Sequence, residues 1–198
     1  MNTYNFYIQV ADKEHFHYAN EICQVIEDSA KIRGTGIAKR ESTYIKQKME
    51  QGNAVIALTD EHKFAGFCYI ESWGEDKKYV ANSGLIVTND YRGQGLGKKI
   101  KKAIFELSKT KYPDAKLFGI TTSPAVMKIN YALGYRPVTI NQLTDDDQFW
   151  NGCRSCPNYD ILERTKRTHC LCTAMLYDPT EHIQIENQEI KILKKLSA

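Results

Sequence analysis

The residues best suited to chemistry form the run Val87-Thr88-Asn89-Asp90-Tyr91-Arg92-Gly93-Gln94-Gly95-Leu96-Gly97-Lys98. The run joins an apolar stretch with strand character to an amphipathic stretch with helix character. The first backbone N–H groups of a helix have no intrahelical partner, and the aligned peptide dipoles draw anions to that end. Glycines let the backbone approach a pyrophosphate closely and adopt positive φ. Three phosphate-binding patterns compete. A P-loop needs Gly, four residues, then Gly-Lys-Ser/Thr, but Arg92 stands where its first glycine belongs and Lys99 where Ser or Thr belongs. The dinucleotide fingerprint G-x-G-x-x-G fits Gly93 and Gly95 and fails at Lys98. The pattern Arg-x-x-Gly-x-Gly is met in full by Arg92, Gly95 and Gly97.

A second cluster lies late in the chain: Cys153-x2-Cys156, then thirteen residues, then Cys170-x-Cys172, with His169 adjacent. Four thiols in a reducing compartment read as ligands of a structural zinc rather than as disulfides. The first pair has ordinary zinc spacing, and the second is tighter. Four thiolates would leave no open position, which argues against a catalytic zinc. Buried free cysteines, or a redox pair, are the alternatives.

The elements that must position these residues follow from periodicity. Tyr4, Phe6, Ile8 and Val10 alternate as in a half-buried strand. Asp12 can cap a helix carrying Phe16, Ala19, Cys23, Ile26 and Ala30 at helical spacing, running to about Lys31. A glycine loop follows, then a short helix over about 41–51. Strands over 54–58 and 64–70 flank a turn and form a hairpin. A strand over 80–87 leads into the glycine run. Leu96, Ile100, Ala103, Ile104 and Leu107 make the apolar stripe of the next helix. Lys98, Lys99, Lys101 and Lys102 read as its solvated face, with no aromatics interleaved for nucleic acid. A strand over 117–121, a helix capped by Ser123-Pro124 and ended by Gly134, and an extended stretch over 135–140 complete the order β-α-α-β-β-β-α-β-α-β. The composition then changes. The chain divides into 1–140 and a cysteine-rich C-terminal extension, 141–198, packed on the same domain. The last stretch, 181–198, fits a strand followed by a helix, and periodicity does not decide it.

The glycine run, its strand flank ending Leu85-Ile86-Val87 and the tyrosine before Arg92 together resemble the GNAT (GCN5-related N-acetyltransferase) superfamily. The segment SPAVMKINYALGY, Ser123 to Tyr135, resembles that family's second motif. The resemblance spans roughly 4–140. It implies an α/β (α+β) GNAT fold: a central mixed, mostly antiparallel sheet flanked by helices. It further implies an acyl-CoA co-substrate, acetyl-CoA or a related thioester. Backbone amides of Gly93, Gln94, Gly95, Leu96, Gly97 and Lys98, with Arg92, would hold the pyrophosphate, and Leu85, Ile86 and Val87 would lie along the pantetheine arm. The cysteine-rich tail also resembles a GNAT group found with arginine-biosynthesis enzymes in Bacteroidetes, which would imply N-acylation of glutamate by an acetyl or succinyl donor.

Acyl transfer from a thioester to an amine needs a neutral amine, a stabilised oxyanion and a protonated leaving thiolate. Many family members protonate the thiolate with a tyrosine four residues before the motif's final glycine. That place is Asn130 here, with Tyr131 next to it, so Tyr131 is the candidate acid and packing its alternative role. Glu71, near the end of the hairpin's second strand, is the candidate base, or else an edge carboxylate. The family's acceptor site borders the loop between the first two helices, here Lys31 to Arg40, where Arg33 and Arg40 are suited to clamp a carboxylate. An acidic amino acid such as glutamate is therefore the expected acceptor. A non-catalytic acyl-CoA-binding or protein-docking module, and a protein or peptide acetyltransferase, remain alternatives.

Composition sets the outer limits. The 198 residues suit one domain, and a net charge of +3 gives no support to general polyanion binding. The first residues lack a basic start followed by a long apolar run, and no stretch approaches a membrane span. The expectation is a cytoplasmic transferase acting on a small-molecule amine, with neither nucleic acid nor membrane as partner. A homodimer is compatible with the sequence.

Overall fold

The computed structural model describes residues 4–33 and 40–181. Seven strands make a single sheet: β1 Phe6–Val10, β2 Ala54–Thr59, β3 Phe64–Trp73, β4 Tyr79–Val87, β5 Lys116–Thr121, β6 Arg136–Val138 and β7 Thr173–Tyr177. Their spatial order is β1-β2-β3-β4-β5-β7-β6. Only β4 and β5 run parallel; the other pairs are antiparallel. The helices are α1 Ala19–Arg33, α2 Ser42–Glu50, α3 Leu96–Lys111, α4 Pro124–Ala132, α5 Asp147–Asn151 and α6 Tyr159–Arg164. This is the mixed, mostly antiparallel sheet flanked by helices that the sequence implied.

Alternation along the strands sorts side chains to two faces. Val55, Ala65, Cys68, Ile70, Val80 and Leu117 pack on one face against Ile100, Ile104 and Phe105 of α3. On the other face, Ile56, Phe67, Tyr69 and Ile86 meet Ile22 and Ile26 of α1 and Ile45 and Met49 of α2. Farther along that second face, Ala81, Phe118, Ala174 and Leu176 pack with Trp150 and Leu162 from the C-terminal region. The second face thus carries two separate cores, the latter spanning the paired stretch of β4 and β5.

Three local features differ from the sequence expectation. The first helix opens as a 3-10 turn, Lys13–Tyr18, capped by Asp12 through the Glu14 N–H at 3.0 Å, before α1 begins. β3 continues to Trp73. The cysteine-rich region supplies β7, an interior strand between β5 and β6. The glycine loop at 34–39 and the last stretch, 182–198, lie outside the described residues.

Candidate active site

The site begins where the two parallel strands part. β4 and β5 pair at Tyr79↔Lys116, Val80↔Leu117 and Ala81↔Phe118, and no further. Beyond them, β4 keeps its β3 partner and β5 keeps β7, so a cleft opens between Asn82–Val87 and Gly119–Thr121. Within this stretch β4 carries a bulge. Phe67 pairs with Ile86 but Tyr69 pairs with Ser83, so Gly84 and Leu85 together face Cys68. Gly84 has φ +65°, and a Cβ there would stand 2.4 Å from the Tyr69 ring. Only glycine suits both demands. The bulge interrupts the ladder between β3 and β4 at this point.

At the far end of β4 the glycine run turns into α3. Gly93 and Gly95 have φ +78° and +76°, with open space where a Cβ would project. Gly95 is the N-cap of α3, and no side chain caps the helix. The Leu96 and Gly97 amides are therefore left for an outside partner, while the Lys98 N–H donates to the Gly95 carbonyl at 3.1 Å. Leu96 is buried and anchors the turn, while Arg92, Gly93, Gln94, Gly95 and Lys98 are exposed and Gly97 is half-buried. Arg92 is tied down: its Nε donates to the Val87 carbonyl at 3.1 Å and a terminal nitrogen donates to Ser29 Oγ on α1 at 3.1 Å. Its guanidinium braces the loop against α1 and adds positive charge beside the exposed amides. Leu85, Ile86 and Val87 line the last part of β4; Leu85 and Val87 turn toward α3 and Ile86 toward α1.

A polar cluster lies on the opposite face, next to the bulge. The Tyr69 ring rests against Gly84, and its hydroxyl accepts from Arg40 Nε at 2.6 Å. Tyr44 donates its hydroxyl proton to Glu71 Oε1. The Arg40 guanidinium stands about 6 Å from both tyrosine rings, and Lys48 Nζ lies 5.0 Å from the Tyr44 ring centre. Burial lowers the pKa of Lys48, a shift that the Glu71 carboxylate partly opposes. Desolvation and the bond to Glu71 push the Tyr44 phenol well above its ordinary range. The cluster brings Arg40 and Lys48 beside the Glu71 carboxylate. Glu71 and Arg40 are thus brought together. For Arg33, which ends α1, the side chain lies outside the described residues. Sequence reasoning missed Tyr44, Lys48 and Tyr69. Tyr44 and Lys48 are four residues apart on α2, a spacing that puts both on one helix face.

The second motif places its residues differently from expectation. Asn130 is 2% exposed, whereas its neighbour Tyr131 is 72% exposed. One residue on a helix turns the side chain by about 100°, so the Tyr131 phenol is exposed where its neighbour is buried. Ser123 caps α4, accepting from Val126 N–H at 3.4 Å. Lys101, expected on the solvated face of α3, is 3% exposed. Its Nζ donates to Asn82 Oδ1 at 2.9 Å, the Tyr135 hydroxyl donates to the same oxygen at 3.3 Å, and Asn82 Nδ2 donates to Ser108 Oγ at 2.8 Å. This network ties β4, α3 and the residue after α4 together beneath the cleft. Burial lowers the Lys101 pKa to about 8.

The zinc expectation finds no ligand set. Among the described residues, no group of three His, Cys, Asp or Glu side chains is arranged to hold a metal ion, although the four late thiols are neighbours. Cys153, Cys156, Cys170 and Cys172 are half-buried free thiols. Cys153 and Cys170 pack against the third core, and burial, with the neighbouring thiols, raises the Cys153 pKa to about 11. Among the described residues no helix is long and apolar enough to cross a membrane.

The fold defines the class: an α/β protein whose sheet opens beside an uncapped, glycine-rich helix start. Residues 24–125, just over half the chain, match the model of the acetyltransferase (GNAT) family. The chain belongs to that family. No curated protein matches the sequence. Solved structures share the fold at low identity. N-acetylglutamate synthase from Neisseria gonorrhoeae, complexed with coenzyme A and N-acetyl-glutamate, aligns with TM-score 0.62 and 12% identity over 89% of this chain. This chain spans only 36% of that synthase. A Mycobacterium tuberculosis protein in complex with CoA gives TM-score 0.60 and 14% identity, covering 87% of this chain and 98% of that one. The yncA protein of Salmonella typhimurium, with acetyl-CoA, gives TM-score 0.60 and 13% identity, covering 88% and 94%.

Proposed function

We propose that this chain is an N-acyltransferase that moves an acetyl or other short acyl group from acyl-CoA to the primary amine of a small acidic metabolite, with glutamate the first acceptor to test. One observation carries the reading. The parting of β4 from β5 lies between an uncapped glycine-rich helix start and a cation-rich cluster, Arg40, Lys48, Tyr44, Tyr69 and Glu71. Amides of Gly93 to Lys98 are assigned the pyrophosphate, and Leu85 to Val87 the pantetheine arm. Arg40 and Lys48 are assigned the acceptor's side-chain carboxylate, with Arg33, the last residue of α1, as a third cation. Glu71, directly or through water, takes the proton that the attacking amine must lose. Backbone N–H groups at the Gly84–Leu85 bulge are assigned the developing oxyanion, where fixed dipoles stabilise charge most effectively. Much of the rate gain would come from holding amine and thioester together. The leaving CoA thiolate takes its proton from the Tyr131 phenol or, since that phenol is 72% exposed, from solvent water. The gonococcal synthase holds CoA with N-acetyl-glutamate on the same fold, which supports an acidic acceptor.

One observation favours a second reading, an acyl-CoA-binding module without turnover: the buried side chain on α4 is the carboxamide of Asn130, which has no acidic proton to give. Free-thiol release separates the two. Acetyl-CoA and succinyl-CoA would be assayed against amino acids, a polyamine, an aminoglycoside and a lysine peptide. Turnover with glutamate well above that with uncharged amino acids is expected. Turnover confined to cationic acceptors would overturn the acidic acceptor and keep the acyltransferase. Tight CoA binding with no turnover would establish the module.

A further inference from the structure

Lys48 is a primary amine already seated in the cluster proposed to receive one. It lies on α2 one turn beyond Tyr44, with its Nζ 5.0 Å from the Tyr44 ring centre and 6.0 Å from that of Tyr69. The Tyr69 ring in turn abuts Gly84, at the bulge assigned to the oxyanion. The amine thus stands one aromatic ring from the place where the thioester carbonyl must sit. Tyr44 donates to Glu71 and Arg40 donates to Tyr69. Lys48 is half-buried, yet apart from the ring contacts its Nζ makes no hydrogen bond or salt bridge among the described residues. Lysines that lose water are ordinarily paired. Burial lowers the Lys48 pKa, and each unit by which an amine's pKa falls raises its neutral, nucleophilic fraction about tenfold at neutral pH. The other buried lysine, Lys101, is 3% exposed and donates to Asn82, which closes it to a ligand.

We infer that Lys48 is a self-acylation site, whose Nζ takes the acyl group of acyl-CoA when no acceptor fills the cluster. This rests on the acyltransferase reading above. The neutral Lys48 amine attacks the thioester carbonyl, and the C–N bond forms as the C–S bond breaks. The amine's surplus proton passes to Glu71, directly or through water, as an acceptor's would. The leaving thiolate is protonated as in the main reaction. Lysine's flexible four-carbon stem lets Nζ close the remaining distance. The resulting amide carries no charge, so acylation also removes one of the cluster's cations.

The test incubates the full chain with acetyl-CoA and no added amine, locates acetyl groups by peptide mass mapping and follows free thiol. Acetylation should begin at Lys48, about tenfold or more faster than at any other lysine, with thiol released in step. The urea-unfolded chain should lose that preference. Lys48→Arg should lack the early acetyl group, and Glu71→Gln should acquire it several-fold more slowly while its surface lysines react as in wild type. Should a variant fail to fold, the comparison of native with unfolded wild type decides. Acetyl groups spread over the lysines at the unfolded chain's rates would overturn the inference, as would a preferred lysine other than Lys48. An equal rate at Lys48 in Glu71→Gln would overturn it too, since the amine would then react without the site's base. In each of these cases turnover of an added amine would leave the acyltransferase reading standing. A chain that neither binds acetyl-CoA nor acetylates any added amine would instead overturn that reading, and this inference with it.

Discussion

Tyr69 couples the two halves of the site. Its ring fills the space in front of Gly84 at the β4 bulge, and its hydroxyl holds Arg40. Gly84→Ala must place a methyl group 2.4 Å from that ring at φ +65°. Left-handed strain and overpacking together should cost about 2–4 kcal/mol, read as a lower urea midpoint with unchanged slope. An unchanged midpoint would mean that the bulge is not the rigid feature described. Arg40 tests the acceptor end. Arg40→Ala should raise the KM for an acidic acceptor roughly tenfold or more, since hydrogen bonds to charged groups contribute about 1.5–3 kcal/mol. The KM for acetyl-CoA should hold. An equal rise for an amine without a carboxylate would show that the substitution acts only by loosening Tyr69.

At the scale of elements, α3 shows what the sequence reveals and what it hides. Its start was legible because Arg92, Gly95 and Gly97 form a pattern that few backbones need. Its apolar stripe, Leu96, Ile100 and Ile104, was legible by period. Lys101 was not, because its neighbours Lys98, Lys99 and Lys102 make the whole flank look solvated; burial follows from Asn82 on β4, across the packed interface. The bulge had one signal, an isolated glycine inside a strand pattern at Gly84. The Arg40 charge was legible, but its meeting with Lys48 and Glu71 depends on how α2 docks on β3. Lys101 also makes a pH prediction. Its pKa, about 8 when folded, lies below the unfolded value near 10.4. Between those values the unfolded chain binds more protons, so stability rises with pH, and below about 8 the full penalty is present. Lys101→Met removes the titration while leaving Asn82 Oδ1 the Tyr135 hydroxyl as donor. Wild-type stability minus that of Lys101→Met should therefore grow by roughly 1–3 kcal/mol from pH 7 to pH 10 in denaturant titrations. A flat difference would mean that Lys101 titrates as an exposed lysine.

At the scale of the whole molecule, the change of composition near residue 141 suggests a boundary that the sheet does not respect. β7 comes from the cysteine-rich region, yet it pairs with β5 over Leu117↔Tyr177 to Thr121↔Thr173 and with β6 over Arg136↔Leu176 to Val138↔Ala174. Removing it would open the sheet and leave β6 without its strand partner. It would also strip Phe118, fully buried, of the cover that Trp150, Leu162 and Leu176 give it. Each large apolar side chain uncovered costs roughly 1.5–3 kcal/mol, against a total stability of about 5–15 kcal/mol for a typical domain. Several such losses exceed that margin. The fragment 1–140, although it contains the glycine run, the cleft strands and the acceptor cluster, should therefore show no cooperative unfolding transition by far-UV circular dichroism and should not bind acetyl-CoA. A fragment that unfolds cooperatively and binds the thioester would mean that β1 to β5 suffice as a folding unit, and that the C-terminal region is an addition to the site rather than part of the sheet that holds it open.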